Sequence, residues 1–303
     1  MYLQKNYSDK IKIFIPAHLL QESSPCLVSV YLALYMMADM NGLEWTRRKT
    51  SVIDLCKNAA FFNNNDLRAR HYTAVNRALD SLEEYGYVKF YGRSDDPKMI
   101  FGFDFTDDIV AKAKEHAING KNMLACIELN EFKVLWDLLC SSGGKGYSRS
   151  TILRIYIALK MYAGFWGNVH KDVKAPVFVG YYGTVMNLLN VSRTTMKESI
   201  KELRSLGLVV TTYCKRMEND DKRKNFATTI IVFPILCTNI KAEELTEQVE
   251  LILEDEDPGK SWYKPGWTPT VAKSIRTNHE RNMDQVLDIV PDDTMVFASN
   301  DIF

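Results

Sequence analysis

No run in this 303-residue sequence is apolar over the roughly 20 residues that a bilayer-crossing helix demands; the longest nearly apolar stretch is Leu27 to Ala38. The opening Met-Tyr-Leu-Gln-Lys-Asn has no apolar core of the kind an export signal carries. A cytoplasmic chain that neither spans nor binds a membrane is the expectation. Cysteine is sparse: Cys26, Cys56, Cys126, Cys140, Cys214 and Cys237 lie far apart, without the close spacing of a zinc site or of a small disulfide-stapled scaffold. Reduced thiols fit that spread. With 9 prolines, 15 glycines, 46% hydrophobic and 25% charged residues, neither a fibrous nor a disordered chain fits. The length points to two domains, each with a core large enough to fold unaided.

Catalytic constellations are missing as well. His18, His71, His116, His170 and His279 are isolated, with no His-hydrophobic-His pair and no second histidine at helical spacing for a metal. Ser141-Ser-Gly-Gly-Lys-Gly-Tyr-Ser148 does not have the spacing of a phosphate-binding loop and reads as a flexible connection before a helix at 149. No serine or cysteine is marked as a nucleophile by a base that the sequence identifies. No cofactor, no metal and no enzymatic activity are expected.

Charge of one sign is absent overall, since 38 basic and 38 acidic residues cancel, but its distribution is uneven. Residues 241 to 303 hold 14 Asp/Glu against 6 Lys/Arg, a net of −8, so the first 240 residues carry +8. A moderately basic body with an acidic appendage is compatible with an anionic partner.

The body is organised by an internal repeat. Tyr31-Leu-Ala-Leu-Tyr-Met-Met-Ala38 returns as Tyr156-Ile-Ala-Leu-Lys-Met-Tyr-Ala163, with five of eight positions identical, and Gly42 and Gly167 follow at equal distance. Val75, Leu79, Leu82, Tyr85, Gly86, Tyr87 and Val88 return as Met196, Ile200, Leu203, Leu206, Gly207, Leu208 and Val209. Ile13-Phe-Ile-Pro16 and Cys126-Ile-Glu-Leu129 are short apolar runs ahead of each copy. The repeated units cover about 15 to 110 and 125 to 237, and the boundaries drawn are 1–112, 113–240 and an acidic, partly helical extension at 241–303 with a flexible tail.

Within each unit, helical spacing fills 25 to 40 and 149 to 165, then shorter segments at 50 to 61 and about 181 to 189. A third helix starts after Asn190-Val191-Ser192, where Ser192 suits an N-cap, and in the first unit near Asn63-Asn-Asn-Asp66. Gly86 and Gly207 suit the left-handed residue that closes a helix. Tyr87 to Tyr91 with Ile100 to Phe105, and Leu208 to Tyr213 with Thr228 to Phe233, then read as β-hairpins. The fold class expected is mainly α with small β-hairpins.

Three helices followed by a hairpin, and the run Val191-Ser-Arg-Thr-Thr-Met-Lys-Glu-Ser-Ile-Lys-Glu-Leu-Arg-Ser-Leu-Gly-Leu-Val209 in particular, resemble the winged helix-turn-helix superfamily. The tandem pair resembles replication initiation proteins of phages, plasmids and integrative elements of Gram-positive bacteria. That resemblance implies two tandem winged helix-turn-helix domains plus a helical C-terminal extension, binding of double-stranded DNA at an origin, and recruitment of host replication proteins. A transcriptional repressor, or a winged-helix adaptor that holds proteins and touches no DNA, are the alternatives. The oligomeric state is left open.

At 100° per residue, Met196, Ile200 and Leu203 define the inner face of the second unit's third helix. Thr194, Glu198, Lys201 and Ser205 then point outward, flanked by Arg193 and Lys197, as a groove-reading helix requires. Ser192, Arg193, Thr194, Thr195, Lys197 and Lys201 are the candidate contacts, with Lys215, Arg216, Lys222, Arg223 and Lys224 at the hairpin tip meeting phosphates. The first unit offers Arg68, Arg70, His71, Tyr72, Thr73, Asn76 and Arg77 near the helix start and Arg93 in its hairpin. Asp80, Glu83 and Glu84 would be repelled by phosphates, so the second unit is the expected principal reader.

Tyr31, Tyr35, Tyr156 and Tyr162 sit on apolar helical faces and are expected to pack in the core. Beyond 240 the sequence suggests a helix at 241 to 253, an acidic linker Glu254 to Asp257, the turn-rich Ser261-Trp-Tyr-Lys-Pro-Gly-Trp267, a helix at about 269 to 288, and a tail. The ending Ser299-Asn-Asp-Ile-Phe303 loosely resembles the acidic, Phe-terminated tips through which single-strand-binding proteins recruit partners.

Overall fold

A computed structural model of the chain describes residues 12–22, 26–40, 48–58, 69–106, 108–116, 123–141, 146–169, 177–215, 227–232 and 242–256. It is mainly helical, with small antiparallel sheets. In chain order the first copy of the repeat contributes β1 (Lys12–Pro16), α1 (Ala17–Gln21), α2 (Leu27–Met40), β2 (Arg48–Thr50), α3 (Val52–Asn58), α4 (Ala69–Glu84), β3 (Val88–Tyr91), β4 (Phe101–Phe105) and α5 (Ile109–Glu115). The second contributes β5 (Leu124–Glu128), α6 (Leu129–Ser141), α7 (Gly146–Val169), β6 (Val177–Gly180), α8 (Tyr182–Leu189), α9 (Arg193–Ser205), β7 (Val210–Lys215) and β8 (Ala227–Val232). The acidic extension adds α10 (Ala242–Glu256).

Two helices are central because they have no polar side to show. In α2 every residue from Leu27 to Leu34 is buried, and in α7 every residue from Ile152 to Leu159, Arg154 included. A helix apolar around its whole circumference must be covered on all sides. By contrast α4 buries only His71, Val75, Ala78, Leu79 and Leu82, and α9 only Met196, Ser199, Ile200 and Leu203. Those are single stripes at helical spacing, so α4 packs on α2 and α9 on α7 with the opposite face outward. Tyr31 and Tyr156 are buried in the core as expected, while Tyr35 and Tyr162 are half-buried and pack against it.

Each third helix ends in the same way. Gly86 and Gly207 both stand at φ 71°. Gly86 N–H donates to Glu83 O at 2.9 Å and Tyr87 N–H to Leu82 O at 2.9 Å; Gly207 and Leu208 repeat this with Arg204 O at 3.0 Å and Leu203 O at 2.9 Å. Both are Schellman closures, which send the chain straight into a strand.

Both hairpins acquire a third strand that the sequence did not announce. The sheet orders are β2-β4-β3 and β6-β8-β7, all antiparallel. β2 is a mere Arg48-Lys-Thr50, too short for an alternating pattern, and β6 is uniformly buried and so also patternless. The helix expected at 50 to 61 is therefore corrected, because Thr50 is in β2 and the described helix is Val52–Asn58. The connection expected up to 148 is corrected likewise, since α7 already begins at Gly146. The linker expected from Glu254 is helical through Glu256, extending α10, which packs on β6. The Trp-rich element, the helix at 269 to 288 and the tail lie outside the described residues.

The apolar runs ahead of each copy turn out to be partners. β1 and β5 pair antiparallel, from Lys12 opposite Glu128 through Phe14 opposite Cys126 to Pro16 opposite Leu124. Each runs directly into a helix, α1 or α6. One hydrophobic cluster continues from Ile13 to Ile231 through both copies, and a boundary between 112 and 113 would cut α5.

One carboxylate inside this cluster is paired on several sides. Glu131, in the first turn of α6, accepts from Tyr156 Oη at 2.7 Å and from the Glu128 N–H at 3.4 Å, and pairs with Lys160. Glu131 is 5% exposed, so its charge depends on those donors. Lys160→Met is expected to destabilise the chain by about 3–5 kcal/mol, with Glu131→Gln in the same chain recovering much of the loss; urea unfolding of the three variants measures both.

A second polar seam joins α1 to the α4–β3 turn and α5. The His18 ring lies 5.5 Å from the Tyr87 ring, 5.0 Å from Tyr85 and 4.8 Å from His116, while Tyr85 Oη bonds to Glu22. Burial first, and the neighbouring His116 second, push the His18 imidazole down to about 4 against the opposing pull of Glu22. The unfolded chain then takes up this proton first as pH falls. The contribution of this neutral imidazole to stability is fully present above about 6.5 and is lost as pH drops toward about 4. His18→Gln should flatten that limb of the curve, which urea midpoints across the range would reveal.

Candidate nucleic-acid interface

The second copy presents its outer helix through a sharp turn. α8 ends at Asn190, which stands at φ 50° in the left-handed region that asparagine tolerates, and Val191 N–H donates to Met186 O at 3.1 Å. Ser192 then caps α9, its Oγ accepting from the Thr195 N–H at 3.1 Å and lying 2.9 Å from Thr195 Oγ1. Asparagine, valine and serine thus turn the chain between two packed helices within three residues.

Outward on α9 stand Arg193, Thr194, Lys197, Glu198, Lys201, Arg204 and Ser205, all exposed, with Thr195 and Glu202 half-buried. Arg193, Lys197 and Lys201 follow at successive i, i+4 steps and Arg204 continues the line, a cationic stripe roughly 16 Å long at 1.5 Å per residue. Arg204 escaped the sequence reading, although its i+3 spacing from Lys201 on a helix with an inner face already fixed was the signal. Guanidinium and ammonium groups on such a stripe can donate to phosphate oxygens or guanine acceptors, and Thr194 can meet a thymine methyl.

The first copy is different, and several expectations for it are corrected. His71 is buried at 6% exposure because positions 71, 75, 78, 79 and 82 make the inner stripe, and it accepts from Arg70 Nε at 3.1 Å. Tyr72 is half-buried against the core instead of standing free. Thr73 is exposed, but its hydroxyl donates to Ala69 O at 3.0 Å. Arg70 and Arg77 are exposed and Asn76 is half-buried. Arg93 does not reach out from its hairpin; it pairs with Asp80, lies 3.9 Å from Glu83 Oε2 and covers the Phe90 ring at 5.4 Å. The hairpin loop is also tied inward, Ile53 N–H donating to Pro97 O at 3.1 Å. The acidic half of α4 therefore holds its own hairpin arginine.

Arg68, Arg216, Lys222, Arg223 and Lys224 lie outside the described residues, and Lys215 is the last residue of β7. Among the described residues no group of three or more His, Cys, Asp or Glu is placed to hold a metal ion, and no helix is long and apolar enough to cross a membrane. No family model, no curated protein and no solved structure matches the chain.

Replacing Ser192 by Ala removes the cap of α9. A loss of about 1 kcal/mol in unfolding free energy is expected, restored by Ser192→Asp, whose carboxylate caps the same N–H; chemical denaturation of the three chains is the check.

Proposed function

We propose that this chain is a sequence-specific double-stranded DNA-binding protein built from two tandem winged helix-turn-helix units, with α9 as principal reader. The observation that carries the reading is the exposed cationic stripe Arg193, Lys197, Lys201 and Arg204 on a Ser-capped helix that follows a tight turn. In support, each copy has the order strand, helix, helix, strand, helix, helix and hairpin, the inner strand completing the hairpin's sheet, and the outer helix is rooted by one apolar stripe only. A helix so exposed fits the major groove, with the hairpin of its unit beside the neighbouring phosphates.

The likeness of the tandem pair to replication initiators makes initiation on a mobile element in the cytoplasm the preferred role, with the C-terminal region recruiting host replication proteins. Repression of transcription uses the same interface. A specific observation favours protein contact by the first hairpin: Tyr91, Met99 and Ile100 are 46%, 52% and 64% exposed there, beside the tethered Arg93.

Binding to duplex DNA should weaken steeply with added salt as phosphate counterions are released. Lys201→Ala is expected to weaken binding by about 1–3 kcal/mol and to relax the preference at one base pair. Fluorescence titration of the chain and this variant against duplexes varied base by base measures both, and a salt-independent null result would favour a protein adaptor instead.

A further inference from the structure

Resting on the DNA-binding reading above, we infer that the target is one duplex carrying two unlike half-sites in inverted orientation, the stronger under α9 and the weaker under the N-terminal half of α4. The two copies meet at β1 and β5. Each is five residues long, each continues without a break into a helix, and they pair antiparallel with Phe14 opposite Cys126 at the centre. Antiparallel pairing of equivalent strands is a local two-fold relation, in which whatever one strand does to the other is returned.

The contacts made by the two central helices obey the same relation. α1 rests on α7, and its counterpart α6 rests on α2, while the equivalent helices α2 and α7 meet each other. Inside the copies the packing corresponds as well: α4 on α2 and α9 on α7, β2 beside β4 and β6 beside β8. Copies related by translation would repeat a one-way contact with no returning partner. At this joint the chain thus imitates a symmetric dimer within one polypeptide, and its two outer helices, each seated on a central helix, are carried in opposite directions about the axis. A duplex lying across that axis meets them with opposite strand polarity, as palindromic sites meet dimers, with half-sites about one helical turn or a whole number of turns apart.

The two half-sites are unlike because the two helices are. α9 carries Arg193, Lys197, Lys201 and Arg204 along its whole length, against Glu198 and Glu202, whereas α4 offers Arg70, Thr73 and Arg77 in its first turns and then Asp80, Glu83 and Glu84, with Arg93 held by Asp80. Only the first turns of α4 suit an anionic backbone.

The test is selection of duplexes from a random-sequence library by the full chain, followed by mapping of the phosphates it protects. One tightly constrained segment is expected, with a less constrained one a whole number of turns away. Lys201→Ala should relax the first, and Arg77→Ala should remove protection of the second. Rebuilding the duplex with the weaker segment turned into a direct repeat should reduce affinity about tenfold or more, because linked modules reinforce each other only where both can engage at once. A direct repeat bound as tightly as the inverted one, or a single protected segment indifferent to Arg77→Ala, overturns the two-fold arrangement and leaves the DNA-binding reading standing. Failure to enrich any duplex overturns both.

Discussion

The rest of this structure depends on the need to cover two helices that have no side suited to water. α2 and α7 bury residues around their whole circumference, and each fully buried Leu, Ile or Val contributes roughly 1.5–3 kcal/mol relative to exposure. Neither copy of the repeat closes over its own central helix unaided. α6 of the second copy lies on α2, α1 of the first lies on α7, and the two central helices touch. The shared cluster from Ile13 to Ile231 is the consequence.

A joint so apolar would specify position poorly without polar pins, and buried side chains supply them. Arg154, 6% exposed on α7, donates through Nε to Leu20 O at 3.1 Å and through Nη2 to Leu189 O at 3.5 Å. It thereby ties the end of α1 in the first copy to the end of α8 in the second, immediately before the turn that launches α9. Ser29 and Ser150 meet at 3.3 Å across α2 and α7. Such buried hydrogen bonds cost much when broken and contribute modestly when made, so their effect is to select one register of packing over its neighbours.

Shared architecture has not preserved shared electrostatics. The two outer helices are rooted by equivalent stripes, Val75, Leu79 and Leu82 against Met196, Ile200 and Leu203, yet their outer faces have opposite character over much of their length. The inner face is constrained by packing; the outer face is constrained only by what it meets. On α4 the carboxylates of Asp80 and Glu83 hold Arg93, so the hairpin lies on its own helix, whereas α9 keeps Lys201 and Arg204 exposed in its second half beside Glu198 and Glu202.

Repetition, helical period and turn chemistry settled much of this from the chain alone. The inner and outer faces of α4 and α9, the cap at Ser192 and the closures at Gly86 and Gly207 all follow from local sequence, because each depends on residues within a turn or two of one another. His71 and Tyr72 were misjudged because a polar or aromatic side chain beside an apolar stripe carries no sign of which way it faces until its neighbours are placed. Arg93 was misjudged because its carboxylate partners lie on a different element. β2 and β6 were invisible because short or wholly buried strands have no alternation to read, and the β1–β5 ladder because a strand pair exists only by virtue of a partner far along the chain. The two-fold relation between the copies belongs to tertiary structure for the same reason: sequence records that a unit occurs twice, but only the contacts between the copies fix how one is turned against the other.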